Sequence, residues 1–204
     1  MGLIDTYKQA FNLWKKDIIS SSIFGLILVI ASFLLAIPLI GNLIYAYVYP
    51  RIVSWYYKKI TGEDIKSNYN VAFKAIFIST LLIFSAVIIL SFLIVSGISI
   101  SSNLFLLLSL LFIGVGTILE ILWLYNIYGS ILGKVDSLKI DAMKSLEIFF
   151  YLLLLSIIIL IIVVIISFLF FFSPIIGSII ILILDIIFFT PVITLVALLR
   201  SKGL

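Results

Sequence analysis

Six long apolar stretches alternate with short segments that hold the basic residues, and this alternation limits the fold more than any other feature. All 13 Lys and Arg residues lie at or near one side of these stretches, and the other side receives no charged residue. The chain of 204 residues is 65% hydrophobic and 11% charged, which is more apolar surface than a soluble domain of this size can bury. The sequence therefore predicts an all-α polytopic membrane protein.

The first two of these stretches form one uncharged run, Ile18 to Tyr49, which is too long for one membrane crossing. As a single helix it would extend about 48 Å against a hydrocarbon core of about 30 Å. Pro38 and Gly41 mark a reversal, because proline lacks a backbone donor and glycine permits a tight turn. We therefore expect two crossings here, about Ile18 to Ile37 and Ile40 to Trp55.

Four further crossings follow, which gives six transmembrane helices in three hairpins. They are predicted over Ala75 to Val95, Leu104 to Leu124, Ile148 to Phe171 and Ile175 to Leu199, with polar loops over Lys58 to Asn70 and Lys134 to Glu147. The chain is expected to form one integral membrane domain, residues 1–204, with an interfacial helix over 1–17 and hairpins over about 18–57, 71–128 and 142–200.

Charge placement favours six crossings over an alternative with five, in which Ile18 to Tyr49 is a single kinked span. With six, the basic groups all face the cytoplasm, as the positive-inside rule requires, whereas with five most of them would lie outside. The turns near Pro38, Ser96 to Asn103 and Ser173 to Gly177 carry no charge. An interfacial belt of aromatic residues is predicted at the inner side, formed by Trp14, Trp55, Tyr56, Tyr57, Trp123, Tyr125 and Tyr128. We expect a multi-pass protein of the cell (plasma) membrane with both its N- and C-termini in the cytoplasm.

The N-terminal segment has an amphipathic pattern. Apolar residues recur there at three- and four-residue steps, at Leu3, Ile4, Tyr7, Ala10, Phe11 and Trp14. This pattern indicates an interfacial helix on the cytoplasmic leaflet. It fits equally well a helix that packs on the loops of its own protein.

Similar strings precede each predicted hairpin, at Ala10-Phe11-Asn12, Ala72-Phe73-Lys74 and Ala142-Met143-Lys144. The turn Pro38 to Asn42 of the first hairpin also matches Pro174 to Ser178 of the third. We interpret these similarities as three parallel copies of one unit, an amphipathic approach followed by a helical hairpin.

Three segments carry a resemblance to a known group of proteins: Ala10 to Lys16, Thr61 to Asp64, and Asp136 to Glu147 with its Ala142 and Ser145. With them, nearly the whole chain resembles uncharacterised six-helix membrane proteins of archaea and bacteria, a domain of unknown function. That domain is similar to the membrane domain attached to some glycerophosphoryl diester phosphodiesterases. The resemblance implies fold and topology only, because the catalytic domain of those enzymes is absent from this sequence.

Three ionisable residues fall within the predicted crossings, namely Arg51, Glu120 and Asp185. Counted from the outer turns at about 1.5 Å per residue, Arg51 and Asp185 both lie roughly 15 to 17 Å deep, near the midplane, where they are able to pair. An isolated charge there costs at least about 2.5 to 3.5 kcal/mol, so each needs a partner or water. Glu120 lies about 24 Å from its outer turn, where it snorkels to the inner interface or meets Lys134.

Smaller features predict how the helices pack. Ser21 and Gly25 have the small-residue spacing that lets helices approach closely. Pro50 and Pro191 predict helix bends, and Thr190 is placed to satisfy the backbone groups that Pro191 frees.

The absence of Cys and His from the sequence removes the commonest ligands for haem, zinc, copper and iron-sulfur clusters. No catalytic motif stands out either, so we expect no enzyme, no metal and no other cofactor. Topology and anionic lipid explain the basic loops, so we expect no nucleic-acid partner.

Two functional hypotheses follow. The first is a non-enzymatic scaffold, assembly factor or accessory subunit of a membrane complex, whose partners are the lipid bilayer and either another membrane protein or a second copy of itself. The alternative is a small proton- or ion-coupled transporter or channel that uses Asp185, Arg51 and Glu120, in which Asp185 titrates and Arg51 sets its affinity. A structural reading of the same charges is an ion pair that fixes how the hairpins dock.

Overall fold

The computed structural model describes residues 2–37, 39–95 and 103–204, and the chain is all-helical across those ranges, with no strand. The α-helices are α1 (Leu3–Lys16), α2 (Ile18–Ser32), α3 (Ile40–Thr61), α4 (Tyr69–Val95), α5 (Asn103–Leu122), α6 (Leu124–Ile131), α7 (Ala142–Leu169), α8 (Pro174–Leu184) and α9 (Thr190–Gly203). A 3₁₀ turn, Phe33–Ala36, continues α2, and a π-helical turn, Asp185–Phe189, joins α8 to α9.

The break between α2 and α3 lies where the sequence predicts it. Leu39 adopts a positive φ of 60°, and α3 begins at the next residue, Ile40. A Cβ at Gly41 would lie 1.7 Å from the Leu34 carbonyl oxygen, so only glycine fits this reversal. Pro38 itself lies outside the described residues, as does most of the turn predicted at Ser96 to Asn103.

Four helical segments are long and apolar enough to cross a membrane, Ile18–Ala36, Tyr69–Ser91, Ala142–Leu169 and Pro174–Gly203, and α5 with α6 makes a fifth if that bent pair is one span. The bend between α5 and α6 is 43°. The described part of the chain thus holds four or five helical segments with the length and hydropathy of membrane spans, as in a membrane protein. The predicted second crossing, α3, is not among them, because Arg51, two lysines and several tyrosines lower its hydropathy.

The polar loops are shorter than predicted. α3 continues to Thr61 and stops at Gly62, which adopts the left-handed conformation (φ 75°) typical of a helix C-terminus. α4 then begins at Tyr69, so the first loop covers residues 62–68. In the second loop, the Asp141 side chain accepts a hydrogen bond from the Lys144 backbone N–H and starts α7 earlier than its apolar stretch.

Five of the aromatic residues that the sequence assigns to the interfacial belt lie in the core of the bundle: Tyr56, Tyr57, Trp123, Tyr125 and Tyr128. Tyr56 and Tyr57 are 0% exposed. The Tyr56 ring stacks on Phe24 at 3.9 Å between centroids, and its hydroxyl bonds the Ser21 hydroxyl at 2.9 Å. Burial between helices does not fix the depth of a side chain in the membrane, so the belt stays a prediction; the structure shows that these five side chains pack against other helices. Trp55, beside Tyr56 in α3, is 43% exposed.

The amphipathic helix α1 packs on the last helices of its own chain. The Tyr7 hydroxyl donates to the Tyr151 carbonyl at 2.6 Å, and the Trp14 indole N–H donates to the Ile187 carbonyl at 2.7 Å. Ile4 of the same helix is 77% exposed. α1 therefore docks on helices, not on loops, and leaves Ile4 uncovered.

Candidate functional site

Asp185 begins the π-helical turn that interrupts the last candidate span. Pro191 has no backbone N–H, so the carbonyls four and five residues earlier, those of Ile187 and Ile186, lose a donor. The Trp14 indole N–H donates to the Ile187 carbonyl. The Ile186 carbonyl lies against α2, where a Cβ at Gly25 would come within 1.9 Å of its oxygen. The close approach predicted at Gly25 is thus confirmed, and α1 and α2 together hold the break.

Thr190 does not satisfy the freed backbone as predicted. Its hydroxyl donates to Oδ1 of Asp185 at 2.8 Å. The hydroxyl of Thr194, one turn further along α9, donates to the Thr190 carbonyl at 2.9 Å. Thr190 therefore orients the Asp185 carboxylate at the start of the break.

The Asp185 carboxylate lines a cavity of about 260 Å³ between α2, α3, α6 and α9. Leu28, Val29 and Ile193 form its aliphatic part. Six further lining residues carry a hydroxyl group: Ser32, Tyr45, Tyr49, Tyr128, Thr190 and Thr194. A carboxylate in this position faces a polar lining, which reduces the cost of holding a charge inside the bundle.

Three of these residues also line a second cavity, of about 100 Å³, in which Glu120 and Thr80 take part. We call Tyr45, Tyr49 and Tyr128 the tyrosine wall. The hydroxyls of Tyr49 and Tyr128 are hydrogen-bonded at 3.0 Å, and the rings of Tyr45 and Tyr49 lie 5.5 Å apart. The tyrosine wall therefore places phenolic hydroxyls between a cavity with Asp185 and a cavity with Glu120.

Arg51 does not pair with Asp185. Its guanidinium lies 3.6 Å from the ring centre of Tyr47, and Nη1 donates to the Tyr47 carbonyl at 2.5 Å. No carboxylate within the described ranges lies within 4.0 Å of it. Arg51 follows Tyr49 by two residues, a rotation of about 200° around α3. Since Tyr49 faces the Asp185 cavity, Arg51 faces away from it.

Glu120 does not meet Lys134 either. The Lys134 ammonium donates to the backbone carbonyls of Ser201 and Lys202 at the end of α9. In the described part of the chain Glu120 forms no ion pair, and it lines the smaller cavity against the tyrosine wall. The structure thus brings Asp185 and Glu120 to two sides of one group of tyrosines and leaves Arg51 outside it.

Ion pairs gather at the end of the bundle where the polar loops lie. Lys202 of α9 bonds Glu63 of the first loop, and Arg200 bonds Glu147 of α7. The hydrogen bond from Lys202 holds the pKa of Glu63 below its ordinary value, against a smaller opposing effect of burial. These pairs join the C-terminal helix to the first loop and to α7.

A single carboxylate beside a hydroxyl-lined cavity is suited to binding and releasing a proton. Within the described ranges, no group of three or more Asp or Glu side chains lies close enough together to hold a metal ion.

Searches with protein-family models, curated proteins and solved structures find no match to this chain. The resemblance to six-helix archaeal and bacterial membrane proteins therefore stays a prediction.

Proposed function

We propose that this chain is an integral protein of an archaeal or bacterial plasma membrane that moves protons across the bilayer through Asp185. In this proposal it crosses the membrane six times, as three hairpins with both termini in the cytoplasm. α3 supports six crossings, because its 22 residues extend about 33 Å and its tyrosines Tyr45 and Tyr49 line cavities between helices, away from lipid. The basic loops support the cytoplasmic termini.

The observation that carries the proposal is the hydroxyl-lined cavity around Asp185. An intramembrane carboxylate is expensive unless it has a partner or water, and it often marks an ion pathway. A metal cation would need several converging oxygen ligands. The one hydrogen bond to the Asp185 carboxylate among the described residues comes from Thr190, an arrangement that suits a proton.

The tyrosine wall supplies the path for the proton beyond Asp185. A phenolic hydroxyl both donates and accepts hydrogen bonds, so it can receive a proton on one side while it releases one on the other. The bonded pair Tyr49 and Tyr128 borders both cavities. A proton that leaves Asp185 therefore passes to water in the larger cavity, across the tyrosine wall and on to Glu120.

Proton flux into vesicles tests the proposal. The purified full chain is reconstituted into liposomes that enclose a pH-sensitive dye, and a potassium gradient with an ionophore sets the membrane potential. We expect the wild-type protein to acidify the lumen and Asp185→Asn to abolish the flux. Asp136→Asn, which removes an exposed loop carboxylate, should keep it. Flux that is absent from the wild type, or equal in all three proteins, would refute the proposal.

A second function, that of a scaffold or accessory subunit, is favoured by α7. None of the most apolar stretch of α7 is buried, whereas about a fifth to a third of the corresponding stretch is buried in the other three candidate spans, the bent pair of α5 and α6 left aside. A photoreactive residue at Ile161 of α7 tests this function, with one at Val87 of α4 as a control of similar exposure. A discrete protein adduct at Ile161 alone would support a partner, and lipid adducts at both positions would argue against one.

A further inference from the structure

A third cavity lies on the side of α3 that faces away from Asp185. It measures about 240 Å³ and is lined by Tyr47 and Arg51 of α3 and by Tyr69, Asn70 and Phe73 of α4. At about 30 Å³ per water molecule in the liquid, this volume has room for a phosphate group and several waters. We call it the Arg51 cavity.

The guanidinium of Arg51 has most of its hydrogen-bonding capacity free. A guanidinium carries five N–H donors, and the one acceptor that Arg51 has among the described residues is the Tyr47 carbonyl. Its positive charge rests between two aromatic rings, 3.6 Å from the centre of Tyr47 and 4.9 Å from that of Tyr69. No carboxylate in the described ranges neutralises it, so the cavity has a net positive wall.

The walls of the Arg51 cavity are fixed before any ligand arrives. The Tyr69 hydroxyl donates to the Ser54 hydroxyl at 3.1 Å, and Ser54 bonds the Ser67 hydroxyl at 2.8 Å. These bonds hold the second ring in place over the guanidinium. A preformed site loses little conformational freedom when it binds, which favours a tight complex.

The cavity lies where α3 and α4 meet the polar loop 62–68. Ser54, which contacts Ser67 of this loop, follows Arg51 by three residues, about 4.5 Å along the helix axis. Lys58 also interacts electrostatically with Tyr69, but it is paired with Asp64 at 2.8 Å. Residue counting along α3 alone places Arg51 near the midplane, but the bonds from Ser54 to Ser67 and Tyr69 bring polar groups within about one helical turn of it. A cationic, ring-walled cavity beside this polar loop is within reach of lipid headgroups.

We propose that the Arg51 cavity binds the phosphate group of an anionic membrane phospholipid. The planar guanidinium donates two parallel hydrogen bonds to phosphate oxygens, which no ammonium group does. Phe73 and the two tyrosine rings pack against the glycerol and the first acyl carbons. This site is separate from Asp185 and does not depend on proton transport.

Native mass spectrometry of the full chain tests the site. The protein is released from detergent micelles doped with equal amounts of phosphatidylglycerol and phosphatidylcholine. We expect one retained phosphatidylglycerol per chain, because its net negative charge neutralises Arg51. Arg51→Gln should lower this retention about tenfold, the effect of losing roughly 1.4 kcal/mol of charge-assisted hydrogen bonding. Arg51→Lys keeps the charge but not the planar donors, so it should lower retention by a smaller factor.

Lys8→Gln is the matched control, because Lys8 is an exposed cation of α1 outside the cavity. It should retain phosphatidylglycerol as the wild type does, and circular dichroism should show equal helix content in all variants. Retention that is unchanged in Arg51→Gln, or reduced equally by Lys8→Gln, would overturn the site. A further arm replaces the lipid with inorganic phosphate at the same concentration. If phosphate alone is retained as well as phosphatidylglycerol is, the ligand is free phosphate and the lipid assignment is wrong.

Discussion

Trp14 replaces the backbone donor that Pro191 removes from the last membrane helix. Its indole N–H bonds the carbonyl of Ile187, four residues before the proline, at 2.7 Å, where a regular α-helix would use the missing N–H of residue 191. The N-terminal amphipathic helix is thereby joined to the break that begins at Asp185. This relationship makes the geometry of the proposed proton site depend on the docking of α1.

Trp14→Phe should lower the free energy of unfolding by about 1 to 3 kcal/mol, because it leaves the Ile187 carbonyl without a donor. Thermal unfolding in detergent measures the change, and Trp55→Phe, at a tryptophan with no described hydrogen bond, is the control. The cost should be smaller in a Pro191→Ala background, which restores an N–H to α9. If Trp14→Phe lowered the free energy of unfolding equally in both backgrounds, the Trp14 indole would not be taking the place of the missing N–H of Pro191.

Gly25→Ala should separate α2 from the π-helical turn. The new Cβ would lie 1.9 Å from the Ile186 carbonyl oxygen, a backbone atom that cannot rotate away. We expect a loss of about 1 to 3 kcal/mol in unfolding free energy and a reduced proton flux. Gly114→Ala is the matched control, since no atom lies within 4 Å of its Cβ position; it should be neutral or stabilising by up to about 1 kcal/mol. Equal effects of the two substitutions would argue against the close approach.

The ion pair between Lys202 and Glu63 should make stability depend on pH in the acid range. Because the hydrogen bond from Lys202 lowers the pKa of Glu63 below 4.5, the pair stabilises the folded chain above that pH. Its contribution is lost as the pH falls through the lowered pKa. The difference in melting temperature between wild type and Glu63→Gln should therefore be present at neutral pH and vanish in strong acid. Asp136→Asn, outside any described ion pair, should show no such trend.

Tyr128→Phe should slow proton transport without unfolding the protein. It removes the hydroxyl that bonds Tyr49 in the tyrosine wall, and a lost hydrogen bond of about 1.4 kcal/mol in the transfer path corresponds to roughly tenfold in rate. Tyr57→Phe also removes one hydroxyl bond, that to Glu63 of the first loop, but outside both cavities. We expect liposome flux to fall in the first variant and to stay at the wild-type rate in the second. Equal rates in all three would exclude the tyrosine wall from the path.

The sequence predicts the position of the helices better than the direction of their side chains. The reversal at residues 37–40 follows from proline and glycine chemistry that acts locally, and the structure places α3 after it. Residue counting gives Arg51 and Asp185 a similar depth and so predicts that they pair. Depth says nothing about rotation around the helix axis, and Arg51 lies about 200° away from Tyr49.

The sequence does not predict the tyrosine wall, because it assigns Tyr128 to the interfacial belt and no motif marks Tyr45 or Tyr49. The spacing of Tyr45 and Tyr49, one helical turn apart, is the signal that places both on one face. Which face is buried depends on Asp185 and on α6, which lie far away in the sequence. The break at Asp185 was likewise foreseen at Pro191 only as a bend, since its π-helical form depends on the contacts of Trp14 and Gly25.

Proton uptake by Asp185 itself tests the proposed proton path at its first step. Infrared difference spectra of the reconstituted protein, recorded between alkaline and acid buffer, report the carbonyl stretch of each carboxyl group that gains a proton. We expect a band from a protonated carboxyl group inside the bundle that is present in wild type and in Asp136→Asn and missing in Asp185→Asn. A spectrum that Asp185→Asn leaves unchanged would contradict proton transfer through Asp185.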